Sequence, residues 1–221
     1  KKLIKKDFLN IRILLDRSGS MGSAVTETID SINTFIEEQQ KEKVNGVLTI
    51  STFDSGSIDI PVENVHINEM GKLDYSFLDP RGMTPLLDAI GLAISEHSNK
   101  NIEDNEKKAL VIVTDGLENA SREFTNKAIN KLIEDKTNEG WLIIYLGADH
   151  DAFSQSRDIG IEYEKTLHFS KQDSVDAMKA TSRKVRDYSR GANPRHIKYE
   201  NFERVESYKN NPNKKDNKEQ S

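Results

Sequence analysis

Cysteine is absent from this sequence, tryptophan occurs once, and proline occurs five times in 221 residues. Without cysteine there is no disulfide, thiolate-bound zinc, iron–sulfur cluster or thiol nucleophile. Positive charge is not in excess: 32 Lys and Arg stand against 37 Asp and Glu, a net charge of -5. The electrostatic footprint of a nucleic-acid-binding chain is missing, so nucleic acid is not an expected partner. No apolar run approaches the roughly 20 residues of a membrane-spanning helix. The opening K-K-L-I-K-K-D is basic, but no signal-peptide apolar stretch follows it. The expectation is a cytoplasmic chain without membrane contact, with an export signal removed earlier left open. Charged residues make up 31% and hydrophobic ones 35%, which is polar enough to anticipate a tail or solvated helix faces.

What is present alternates between two periodicities. Residues 8–15, 46–53, 109–114 and 141–146 are short, apolar and bounded by turn residues, which reads as buried strands. Residues 57–60 and 65–67 read as another strand, broken at Pro61. The turn Asp54-Ser55-Gly56-Ser57 is too short for a crossover, so the strands it joins are antiparallel. Residues 165–169 form a last strand. Helical spacing runs through 23–41, the segment after Pro85, 123–137 and 151–157. A final helix follows Ser170 and Asp173, read as a capping box. The predicted fold class is α/β: a doubly wound, mostly parallel sheet with one antiparallel edge strand and helices on both faces. The predicted layout is a basic arm at 1–7, one domain at 8–191 and a mobile polar tail at 192–221. Tyr199, Phe202 and Tyr208 are the side chains through which that tail could dock.

The stretch from Ile11 to Gly22, I-R-I-L-L-D-R-S-G-S-M-G, organises the rest. An apolar strand stops at Asp16 and presents Ser18 and Ser20 at spacings of two. Alternate residues of an extended segment point the same way, so three oxygens can converge on one hard cation. Taken alone, the motif is more often a strand end and a Ser/Gly loop that caps the next helix. Two further segments reverse those odds. In G-M-T-P-L, Thr84 stands before Pro85 as a helix N-cap, and in V-T-D-G a second buried strand ends in Asp115. Ligands in such sheets sit beyond the carboxyl ends of the strands, where both acids lie.

Asp16, Ser18, Ser20, Thr84 and Asp115 together resemble the metal-ion-dependent adhesion site of the von Willebrand factor type A family. D-R-S-G-S-M-G, G-M-T-P-L and V-T-D-G come in that family's order, and the resemblance covers roughly residues 8–190. It implies Mg²⁺, with Mn²⁺ or Ca²⁺ as substitutes, held by those five residues. It implies too a binding module that captures an Asp or Glu of a protein partner. Small single-domain members occur in bacteria and phages, and a chain rich in Lys, Asn and Ile fits such a source. The oligomeric state is left open.

Other readings compete. A scaffold that keeps the ion only as a structural clamp is one. A haloacid-dehalogenase-like phosphatase is another, but it needs a second acid two residues after its nucleophilic Asp, and Ser18 stands there. No enzyme is therefore expected. Asp54, Glu118 and Asn119 flank the site, and Asp88 is either a support for it or a solvated or capping residue. The histidines at 66, 97, 150, 168 and 196 lack ligand spacing, and His97 is expected to be half-buried. The basic cluster from Lys179 to Arg195 is interleaved with acids and reads as a solvated helix face.

Overall fold

The first strand, β1 (Leu9–Asp16), is buried along its whole length. Its side chains alternate between two apolar clusters: Leu9, Ile11, Ile13 and Leu15 enter one, Leu14 the other. A strand apolar on both faces has to be central and covered twice. On one side lies β2 (Gly46–Phe53), parallel to β1, which turns back into β3 (Ile58–His66), the antiparallel edge. On the other side run β4 (Lys107–Thr114), β5 (Leu142–Ala148) and β6 (Thr166–Phe169), all parallel. The order β3-β2-β1-β4-β5-β6 is the expected doubly wound sheet, and its winding reverses between β1 and β4. The computed structural model describes residues 7–99, 101–104, 106–148 and 151–211. Of the arm expected at 1–7, only Asp7 is among them.

The connecting helices are α1 (Val25–Lys41), α2 (Leu86–Asn99), α3 (Asn126–Asn138), α4 (Ala152–Asp158) and α5 (Ser174–Ser189). Ile29, Ile32 and Phe35 of α1 join Met178 and Val185 of α5 over one face of the sheet. Ile90 and Ile94 of α2 join Ile129 and Ile133 of α3 over the other. Among the described residues, no helix is long and apolar enough to cross a membrane.

Three local expectations are corrected. The break at Pro61 is only a shift in pairing: β3 is continuous, its register against β2 slips between Asp59 and Val62, and an edge strand tolerates a residue without an N–H. Ser170 and Asp173 do meet, but side chain to side chain at 2.6 Å, across a 3₁₀ turn rather than as a capping box. Nor do residues 192–211 stay outside the core. Ile197 and Tyr199 are buried beside α5, and the Tyr199 hydroxyl lies 2.7 Å from that of Thr181. A short helix, α6 (Asn201–Glu206), buries Glu203 between Arg183 and Lys184 at 3.1 and 2.7 Å. Of the three aromatics considered, Tyr199 and Tyr208 dock, whereas Phe202 stays exposed. Composition is an average, and two apolar side chains with one paired acid are enough to order a polar segment when they fall at the right positions. The rest of the predicted tail, 212–221, lies outside the described residues.

Candidate functional site

β1 ends at Asp16 and β4 at Thr114, neighbours at the carboxyl edge where the winding reverses. Both oxygens of the buried Asp16 carboxylate are held. The Ser18 amide donates to Oδ1 at 2.7 Å and the Thr114 hydroxyl to Oδ2 at 2.6 Å. Burial raises the Asp16 pKa above the usual carboxylate range; these hydrogen bonds offset part of the rise, and the Asp115 charge adds to it. After Ser18 the chain makes a 3₁₀ turn (Gly19–Ala24), so α1 begins at Val25 rather than at Ser23. The Ser18 and Ser20 hydroxyls lie 3.0 Å apart, and Ser20 donates to Asp115 Oδ1 at 2.5 Å.

Thr84 arrives from a third loop. A Cβ placed on Gly116 would stand 2.8 Å from Thr84 Oγ1, 3.5 Å from Asp16 Oδ2 and 3.5 Å from Ser20 Oγ. Oxygens from two loops, with the backbone of Gly116 on a third, thus border one small volume, left open because residue 116 has no side chain. All five residues singled out in the sequence are brought together.

Thr84 does not cap α2 as expected. The Leu87 amide donates to Glu118 Oε2 at 3.0 Å and the Asp88 amide to Ser121 Oγ at 3.1 Å. Both partners come from the loop after β4. Asn119 accepts from the Thr84 amide at 2.9 Å and fixes the backbone there, while the hydroxyl faces Gly116. Asp88 accepts from the amides of Arg122, Glu123 and Phe124, so it clamps that loop rather than supporting the acids.

A second layer ties the loops together. Buried Arg17 donates to Asp54 Oδ2 and to Asp59 Oδ2, each at 2.8 Å, and Arg81 reaches Asp54 at 3.1 Å. Burial alone would raise the Asp54 pKa; the Gly56 amide and the two guanidinium groups outweigh it and hold the carboxyl below its ordinary range. Backbone bonds from Gly19 to Gly82 (3.1 Å) and from Ser55 to Met83 (3.0 Å) close the same surface. Gly82 sits at φ +67°, a conformation that disfavours any side chain. Met83 and Leu117, the chain neighbours of Thr84 and Gly116, are each more than half exposed.

Sequence reasoning missed Arg17, Thr114, Gly116 and Lys171. Thr114 and Gly116 lie inside V-T-D-G, whose alternation could have pointed to them. Lys171 carries no sequence signal: it follows β6, and only the fold brings its ammonium to 2.7 Å from Asp115 Oδ2. Among the described residues, no three His, Cys, Asp or Glu side chains gather as a metal cage. The donor set here is two carboxylates and three hydroxyls. His97 is buried rather than half-buried, edge-on to Trp141, and desolvation pushes its pKa down to about 3.

No family model matches the sequence, and no curated protein matches it. Solved structures do. The vWF domain of the type V pili tip protein Mfa5 from Porphyromonas gingivalis aligns at a TM-score of 0.63 and 10% identity, over 83% of this chain and 97% of that one. The chain has the von Willebrand factor type A fold. The chain also aligns with manganese-loaded TRAP protein from Plasmodium vivax, at a TM-score of 0.55 and 14% identity, over 81% of this chain and 74% of that one. The pilus adhesin SpaC from Lactobacillus rhamnosus GG, in its open conformation, aligns at 0.67 and 14% over 85% of this chain. The chain spans only 31% of that adhesin's length.

Proposed function

We propose that this type A domain carries an intact metal-ion-dependent adhesion site that binds one divalent cation and captures an Asp or Glu of a protein partner. Mg²⁺ is the preferred ion, with Mn²⁺ or Ca²⁺ as substitutes, held by Asp16, Ser18, Ser20, Thr84 and Asp115. The observation that carries this reading is the oxygen-lined volume at Gly116, where Asp16 and Ser20 from one loop and Thr84 from another place oxygens within 3.5 Å of one point beside Asp115. Hard cations take oxygen ligands, and two carboxylates offset a double positive charge while hydroxyls add ligands without adding charge. Bound there, the ion supplies an electrophilic centre for a partner carboxylate. The chain's own groups do the rest. Ser18 and Thr114 orient Asp16, Ser20 orients Asp115, and Met83 with Leu117 offers apolar contact around the point of capture. The manganese-loaded state named for the similar TRAP protein supports the choice of ion class.

The protein is proposed as a binder rather than an enzyme, because Ser18 occupies the place of the second acid that phosphatase chemistry needs. One observation favours a second reading, that of a structural clamp. The five residues lie on three loops already tied to one another by Ser20 with Asp115 and by Asn119 with the Thr84 amide, so an ion would also pin those loops. The deciding experiment is affinity capture from a native lysate with Mg²⁺ and again with EDTA, using wild type and Asp16→Ala. The proposal expects a partner retained only by wild type with Mg²⁺. Equal retention in all arms would leave the clamp as the better account.

A further inference from the structure

We propose that Lys171 is a tethered counter-charge of the candidate metal site, opposing the divalent ion and setting how tightly it is held. This rests on the metal reading above. The Lys171 ammonium lies 2.7 Å from Asp115 Oδ2, 2.8 Å from the Ser23 hydroxyl and 3.3 Å from the Ser20 carbonyl oxygen. Ser20 and Asp115 are two of the five candidate ligands. The turn that carries Lys171 is fixed from both ends. The Ser170 amide donates to the Ser207 carbonyl at 2.9 Å, and Asp173 accepts from the Asn210 amide at 2.8 Å. The charge is therefore delivered from an anchored turn, not from a wandering surface side chain.

The two oxygens of Asp115 are divided between neighbours. Oδ1 faces Ser20 and the hydroxyl cluster, while Oδ2 faces Lys171. The ammonium thus does not occupy the volume at Gly116 and need not leave when an ion arrives there. Its effect is electrostatic. It cancels one of the two carboxylate charges before any cation binds, so Asp115, whose side chain is 2% exposed, keeps a partner when no ion is bound. With a divalent ion present it repels that ion and leaves the site net positive. Ion affinity is lowered, and the attraction for an incoming carboxylate is raised.

The test is Mn²⁺ calorimetry on wild type, Lys171→Met and Lys171→Arg, with melting curves in EDTA and in Mn²⁺. A doubly charged ion and an ammonium a few ångströms apart in a water-like medium repel by an amount worth about tenfold in affinity. Lys171→Met should bind Mn²⁺ about tenfold more tightly than wild type, and Lys171→Arg should match wild type. In EDTA the Met variant should melt lower than wild type, and Mn²⁺ should close that gap. Wild type binding with the Met variant no tighter would overturn the role of Lys171 and leave the metal reading standing. Absence of Mn²⁺ binding in all three proteins would overturn both.

Discussion

At the amino edge of the sheet, Lys107, Lys108, Lys136 and Trp141 line a cleft of about 780 Å³, whereas at the carboxyl edge the space at Gly116 is so small that a single Cβ there would stand 2.8 Å from Thr84 Oγ1. The cleft has room but its charges are already engaged. Lys136 pairs with Glu139 at 2.8 Å, Lys107 with Asp7 at 2.5 Å, and Lys108 donates to Asn101 at 2.8 Å and to the His97 carbonyl. At the carboxyl edge, oxygens from separate loops aim at one point instead. On the proposed reading, room is not what marks the binding site; convergence of oxygens on a shared point is, and it arises where the strand order reverses.

Filling that point should have the largest effect. Gly116→Ala places a methyl group 2.8 Å from Thr84 Oγ1, so the threonine must turn away or the loop must shift. Mn²⁺ binding should fall at least about 100-fold, equivalent to about 2.7 kcal/mol, with all five ligand residues still in the chain. Calorimetry reads the loss, and circular dichroism confirms that the fold survives.

Next comes the layer that holds the loops. Arg17→Met leaves Asp54 buried with Arg81 and two amides as its remaining partners. Breaking a buried pair costs about 3–5 kcal/mol, and the surviving partners should bring the loss to about 2–3 kcal/mol in denaturant unfolding. A loss under about 1 kcal/mol would show that the carboxyl edge is not braced in this way.

The amino edge should reveal itself through pH. His97 has its pKa lowered by burial from 6.5 to about 3. Between those values the unfolded chain binds a proton that the folded chain refuses, so stability falls as pH falls. From pH 7 to pH 5 this position should account for about 2 kcal/mol of lost stability. His97→Gln should flatten the profile by that amount over the same range. The smallest effect belongs to the cleft: Lys136→Ala should cost about 0–1 kcal/mol, as for other partly exposed ion pairs, and should leave Mn²⁺ binding unchanged.

The two edges also differ in how far the sequence announced them. The fold was legible because 8–15, 46–53, 109–114 and 141–146 alternate or run apolar at strand length, and each sits where the structure has a strand. The five candidate ligands were legible because strand ends and short loops fix them to nearby backbone. Lys171 was not, since its relation to Asp115 exists only once β6 and α5 are packed. Thr84 was half legible: its place was right, but Glu118 and Ser121 took over the capping, which no local spacing could foretell. The tail misled because its polarity outweighed Ile197 and Tyr199 in any average, while burial depends on where two side chains land.

The central claim is that one divalent cation binds where Asp16, Ser18, Ser20, Thr84 and Asp115 meet. Calorimetric titration of Mg²⁺ or Mn²⁺ into wild type and Asp16→Ala tests it most directly. The account predicts a single site of modest affinity in the wild type and none in the variant, with both proteins folded. Binding of equal strength in Asp16→Ala would contradict it.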